Sequence, residues 1–320
     1  MSVSPLSIDP SLFDPAAVDG ETRQANELLE RLLASTPSVL EVPAREVRAA
    51  RAEGRSFAGP VIHSDRAVDQ IIDGPAGPLP LRVFSTPGAR GVLLHIHGGG
   101  WALGAHDLQD PMLETVAATA RVSVVSVGYR LAPEHPYPAA NDDCETAALW
   151  LARHAQVEFG TGRLFIGGES AGAHLSVTTL LRLRDRHGLR PFAAACLTYG
   201  AFDLGLTPSA RRWGARNLVL STPIMERFIE WYAPPDVGDP DASPLYGDLR
   251  GLPPALFSVG TIDPLLDDTL FMASRWIAAG NAAELAVYPG GVHGFNALPT
   301  ALSRRANTRL MEFIGRHSGA

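Results

Sequence analysis

From Gly91 onward, short apolar runs alternate with segments of helical period. The runs are Val92 to Ile96, Val122 to Val127, Leu164 to Gly167, Phe192 to Tyr199, Ala255 to Val259 and Leu285 to Tyr288. Each is apolar almost throughout rather than at every second position, which predicts strands buried on both faces of a mostly parallel sheet. Between them the spacing predicts crossover helices over Pro111 to Thr119, Asn141 to Ala155, Ala171 to Arg186, Asp267 to Ala279 and Arg304 to Arg316. Upstream, Val68 to Asp73 and Leu79 to Ser85 read as two strands joined by a Gly/Pro turn, a hairpin that opens the sheet. The first 55 residues predict helices only: Glu21 to Leu33 places Leu28, Leu29, Leu32 and Leu33 on one face, and Pro43 to Arg55 is an arginine-rich helix with a solvated face.

One connection is out of proportion. Residues 202–253 contain a Trp/Phe-bearing helix over Pro223 to Tyr232 and exceed an ordinary loop, so they read as an excursion above the strand ends. The pattern therefore predicts one α/β core, residues 56–203 and 254–320, with helical cap segments at 1–55 and 204–253.

Composition narrows the class. The chain has 320 residues, is 46% hydrophobic and carries a net charge of -7, which suits one large globular domain. All 27 basic residues are Arg, and none forms a stripe interleaved with aromatics, so nucleic acid is not an expected partner. Met1 to Pro10 has neither a charged nor an apolar leader region, and no long apolar run follows, so a cytoplasmic protein without a membrane partner is expected. Cys144 and Cys196 read as buried small hydrophobes. No metal-ligand spacing and no phosphate-cradling loop before a Lys is present, so neither metal nor other cofactor is expected.

In open parallel sheets, ligands bind beyond the carboxyl ends of the strands. Four polar groups stand there: His97-Gly98-Gly99-Gly100-Trp101, Ser170 within Gly168-Glu169-Ser170-Ala171-Gly172, Asp263 and His293. A Gly-x-Ser-x-Gly between strand and helix presents the serine on a sharp turn. A serine hydroxyl needs an imidazole to take its proton, and a carboxylate to fix that imidazole's tautomer. A glycine loop supplies bare backbone N–H groups for an oxyanion. Asp263 before Pro264 is also a good helix start, and Asp267 and Asp268 are nearby acids that suit a first helical turn. Among competing histidines, His174 lies one helical turn past Ser170 and reads as buried and hydrogen-bonded, and His95 as core.

These motifs, with Tyr129-Arg130-Leu131-Ala132-Pro133-Glu134-His135, Asp263-Pro264-Leu265 and His293-Gly294-Phe295, resemble the hormone-sensitive-lipase family of α/β-hydrolase carboxylesterases from about residue 60 to the C-terminus. The resemblance implies an eight-stranded α/β-hydrolase fold with a helical cap, Ser170 as nucleophile, His293 as general base and Asp263 as its orienting carboxylate. It implies oxyanion donors at the amides of Gly98, Gly99 and Ala171, a small-molecule ester of short to medium chain length as substrate, and often a homodimer. His97, Gly100 and Glu169 are expected to support the site, with His97 bracing the glycines. Trp101, Phe202, Trp213, Phe228 and Trp231 are candidates to line an acyl or alcohol pocket, with packing as the more frequent role of aromatics in a cap.

Three positions depart from the family pattern: Gly128 where an acid is common, Glu169 where Asp is more frequent, and Leu266-Asp267-Asp268-Thr269 in place of Arg-Asp-Glu-Gly. Amide or lactone hydrolysis and acyl transfer remain open alternatives. A ligand-binding member that lost the histidine is argued against by His293.

Overall fold

A computed structural model of the chain describes residues 7–56 and 59–319. Part of the expectation about Met1 to Pro10 therefore lies outside the described residues. Two N-terminal helices, α1 (Gly20–Ala34) and α2 (Ala44–Ala52), precede the hairpin β1 (Ala67–Gly74) and β2 (Gly77–Phe84). The crossover series follows as β3 (Val92–Ile96), α3 (Asp110–Ala120), β4 (Ser123–Val127), α4 (Ala139–Phe159), β5 (Leu164–Glu169), α5 (Ala171–His187) and β6 (Phe192–Thr198). Between β6 and β7 (Ala255–Ile262) stand α6 (Pro208–Arg212) and α7 (Thr222–Tyr232), and the chain ends with α8 (Leu266–Ala278), β8 (Ala283–Val292) and α9 (Ala301–His317).

The eight strands form one sheet in the order β1-β2-β4-β3-β5-β6-β7-β8. β2 runs antiparallel to both its neighbours, and the pairs from β4 to β8 are parallel. Two apolar clusters cover its faces. One unites Leu94 and Ile96 with α4, α5 and α8, through Leu151, Val177 and Trp276; the other unites Leu93 and Phe165 with α3, α9 and α1, through Leu113, Phe313 and Leu29. β3, β4 and β5 are buried at every residue, which is why they read as continuous apolar runs.

Two expectations change. On α1 the buried stripe is Thr22, Asn26, Leu29 and Leu33, whereas Leu28 and Leu32 are 52% and 42% exposed. The helix packs along a single ridge, and Leu28 and Leu32 lie about 100° around the cylinder from the residues that follow them. The last two strands are longer than their apolar runs. A register shift between Gly260 and Ile262 lets pairing continue to Ile262 opposite Val292, through the polar and glycine residues that break the sequence pattern.

Candidate active site

The strand ends determine where the polar side chains stand. β5 ends at Glu169, so Ser170 is the next residue; the paired residues Ile262 and Val292 are followed directly by Asp263 and His293. Gly168 and Gly172 let β3 approach the serine turn, since a Cβ at either position would lie 2.0 or 1.8 Å from the Ile96 carbonyl. Ser170 itself has φ of 57°, a conformation that a side chain rarely adopts, and its N–H donates to the Thr198 carbonyl at 2.9 Å.

Ser170, His293 and Asp263 form one hydrogen-bonded row. His293 Nε2 is 2.9 Å from Ser170 Oγ, and His293 Nδ1 is 3.0 and 3.2 Å from the two Asp263 oxygens. A carboxylate only accepts, so Nδ1 carries the proton and Nε2 is left to accept from the serine hydroxyl. Asp263 and His293 are buried while Ser170 stays half-exposed at the mouth of the row. Asp263 Oδ1 also accepts the Leu265 N–H at 2.9 Å, so it makes the local turn expected of a helix start while facing the imidazole.

The rival acids face elsewhere. Asp267 accepts the Ser209 N–H, and Asp268 accepts the N–H groups of Phe202 and Asp203 and the Thr207 hydroxyl. Burial pushes the Asp268 carboxyl up to about 7, against the pull of those donors. Both hold the start of the β6–β7 insertion to the helix that follows Asp263.

Gly98 and Gly99 are half-buried beside the serine turn; a Cβ on Gly98 would sit 3.4 Å from that of Ser170. Ala171 opens α5, where an amide has no partner within its helix. Among the described contacts none of these three N–H groups donates a hydrogen bond. His97 Nδ1–H donates to the Gly98 carbonyl at 2.9 Å, and its ring stacks 4.1 Å from Tyr129, whose hydroxyl donates to the His97 carbonyl. Burial lowers its pKa to about 3, so it is a neutral brace. Gly100 is buried under Phe228: a Cβ there would lie 2.3 Å from the Phe228 ring.

Glu169 points inward. It accepts from His95 Nε2 at 3.1 Å and from Gln109 Nε2 at 3.3 Å, while His95 Nδ1 accepts from Ser126 Oγ at 3.0 Å. His174 is buried and bonded through both nitrogens, to Trp101 Nε1–H at 3.1 Å and the Ala242 carbonyl at 2.8 Å; burial lowers its pKa to about 4. Gly128 is required by its neighbours, since a Cβ would lie 2.8 Å from His106 Nδ1 and from the Pro80 ring.

Two of the aromatic pocket candidates, Trp101 and Phe202, are buried. Trp101 is sealed between His174 and Tyr232, stacked 4.6 Å from the latter, and Phe202 is fully buried edge-on to Phe257. Trp213 remains partly exposed, with its indole N–H on the Arg216 carbonyl. One neighbour of the row carried no sequence signal: Tyr199, which ends an apolar run like any core residue, has its ring centroid 4.6 Å from that of His293. Among the described residues no group of three or more His, Cys, Asp or Glu could hold a metal ion, and no helix is long and apolar enough to cross a membrane.

Residues 93–297 match the family described as alpha/beta hydrolase fold. Over 302 residues the chain is 34% identical to esterase LipI of Mycobacterium tuberculosis, covering 90% of this chain and 91% of that one. It is 38% identical over 261 residues to the carboxylic ester hydrolase LipN of the same organism, covering 77% of this chain and 68% of LipN. A solved hyperthermophilic esterase from the archaeon Pyrobaculum calidifontis superposes with a TM-score of 0.82 at 30% identity, covering 92% of this chain and 98% of that one. With the eight-stranded sheet and the Gly-x-Ser-x-Gly turn already in place, the chain belongs to the α/β-hydrolase fold family, among the serine hydrolases that resemble hormone-sensitive lipase.

Proposed function

We propose that the protein is a serine carboxylesterase that hydrolyses short- to medium-chain carboxylic esters through an acyl-serine. The observation that carries this reading is the Ser170–His293–Asp263 row at 2.9 and 3.0 Å, with the uncommitted amides of Gly98, Gly99 and Ala171 beside its open end. His293 Nε2 takes the proton as Ser170 Oγ attacks the ester carbonyl. Asp263, already accepting Nδ1–H, stabilises the imidazolium that results. The carbonyl oxygen gains charge against the three amides, where loss of one donor typically costs about 3 kcal/mol of barrier. As the C–O bond breaks, His293 returns the proton to the leaving alcohol. A water then repeats the cycle on the acyl-serine, releasing the acid and restoring Ser170.

Residues 1–55 and 204–253 act in this reading as a helical cap. Its supports are Phe228 of α7 lying on Gly100, Arg48 of α2 donating to the Ala102 carbonyl at 2.7 Å, and Arg216 of the insertion paired with Glu30 of α1 at 2.9 Å. The curated relatives are named as esterases and ester hydrolases, which favours an ester over an amide as substrate.

The test is hydrolysis of p-nitrophenyl esters from acetate to palmitate by the wild type and by Ser170→Ala. Short and medium esters turn over in the wild type, and the variant loses about 10⁴-fold or more in kcat with its fold intact. Equal activity in both proteins would remove Ser170 from the mechanism, and a maximum at palmitate would remove the chain-length reading.

A further inference from the structure

Three residues other than glycine that follow the ends of central parallel strands have positive φ: Trp101 after β3 at 57°, Ser170 after β5 at 57°, and Tyr199 after β6 at 36°. Such conformations cost about 1–3 kcal/mol each and persist only where their surroundings enforce them. Ser170 is held so that its hydroxyl faces His293, and Trp101 closes the glycine loop. Nothing above accounts for Tyr199.

Its surroundings show what the distortion accomplishes. The Tyr199 N–H donates to the Ser258 carbonyl at 2.7 Å, which keeps its backbone on the β7 ladder while the side chain turns toward β8. The ring is buried, 4.6 Å from the His293 imidazole at an interplanar angle of 58°. The hydroxyl donates to Asn296 Oδ1. Burial pushes the Tyr199 pKa well above its ordinary value, so the group remains a donor. Asn296 is itself fixed, because its carbonyl accepts from Ser303 Oγ and, at 2.9 Å, from Asn307 Nδ2, both on α9.

The Asp263 contact alone leaves an imidazole under-determined. It fixes Nδ1 but allows the ring to turn about the Nδ1–carboxylate line, and the segment that carries His293 contains Gly291 and Gly294, the latter at φ of 79°. General base catalysis needs Nε2 within hydrogen-bond reach of the serine and then of the leaving oxygen. We propose that Tyr199 is a positioning residue for His293: its ring sets the imidazole plane from behind, and its hydroxyl, through Asn296, ties down the segment from which His293 projects. The inference rests on the esterase reading above.

The test is steady-state hydrolysis of p-nitrophenyl acetate by Tyr199→Phe, Asn296→Ala, the double variant and Tyr199→Leu, with Ser170→Ala run beside them. Tyr199→Phe and Asn296→Ala each lower kcat by about 3- to 10-fold, the scale of one hydrogen bond, with KM unchanged. The double variant is no slower than the slower single, because both remove the same bond. Tyr199→Leu, which also removes the ring, is slower than Tyr199→Phe, so that phenylalanine partly rescues kcat.

Losses that multiply in the double variant, losses confined to KM, or a Tyr199→Phe protein with wild-type kcat would overturn the proposal. If Tyr199→Leu fails to fold, the cycle of the other three variants decides alone. Activity surviving in Ser170→Ala would instead strike the esterase reading, so the two failures are distinct.

Discussion

Two carboxylate–imidazole pairs flank the turn that carries Ser170, and they stand differently to solvent. Asp263 and His293 meet at 3.0 Å, and Glu169 and His95 at 3.1 Å, all four buried. In the first pair the second imidazole nitrogen faces the half-exposed Ser170 hydroxyl; in the second it is used up by Ser126 in the interior. The difference comes from position along the strand. His95 lies inside β3, paired with Ser126 of β4 and Gly167 of β5, whereas His293 and Asp263 each follow the last paired residue of an edge-ward strand. A titratable pair within the ladder becomes part of the core, and the same pair one residue past the ladder becomes available for chemistry.

Breaking one pair at a time should separate these roles. His293→Ala and Asp263→Asn have the largest expected effect, a loss of about 10⁴-fold in kcat/KM with p-nitrophenyl acetate, the asparagine through the wrong imidazole tautomer. His95→Ala should instead cost about 2 kcal/mol of stability, because the buried Glu169 carboxylate loses the hydrogen bond from the imidazole and keeps that from Gln109. Urea unfolding alongside the kinetics checks both. Were His95→Ala to lose as much kcat as His293→Ala at unchanged stability, the inner pair would belong to the reaction and the contrast would fail.

How far each pair was legible follows from the same geometry. His293 and Asp263 follow apolar runs and are flanked by glycine or proline, so they stand out as polar residues where a parallel sheet exposes its ends. His95 shows only a lone histidine in an apolar strand, and its partner lies 74 residues away in the sequence. Tyr199 is harder still, since a tyrosine closing an apolar run looks like packing and its positive φ is a tertiary property. The sheet was readable because strands buried on both faces must be apolar throughout. The α1 stripe was not, because two of its four buried residues are the polar Thr22 and Asn26.

Asp268 sharpens the comparison, being a buried carboxylate whose donors among the described residues are neutral: the N–H groups of Phe202 and Asp203 and the Thr207 hydroxyl. Burial raises its pKa from 3.8 to about 7 in the folded protein. The folded state therefore retains a proton that the unfolded chain has already released, so this group's contribution to stability is full below about pH 4, declines as pH rises to about 7, and is constant above that. In Asp268→Asn this component of the slope should vanish, which urea midpoints from pH 4 to 8 would show. A variant with the wild-type slope would assign the pH dependence to other groups.

The smallest effect is expected at the contact between α1 and the insertion. Arg216 donates to both Glu30 oxygens, at 2.9 and 3.0 Å, yet the two side chains are 54% and 41% exposed. Hydrogen bonding from Arg216 holds the Glu30 carboxyl below its usual range, but water screens such a pair, and exposed pairs contribute about 0–1 kcal/mol. Glu30→Ala should therefore lower the unfolding free energy measured in urea by under about 1 kcal/mol, and the difference should shrink in 1 M salt, where the screening length is about 3 Å. A hydrogen bond between buried groups, such as His95–Glu169, lies away from solvent ions, so the salt response distinguishes the two contacts. A cost of several kcal/mol that salt leaves intact would mean that the side chains are withdrawn from water when α1 and the insertion meet, and that this contact is a structural joint on the scale of the inner pair.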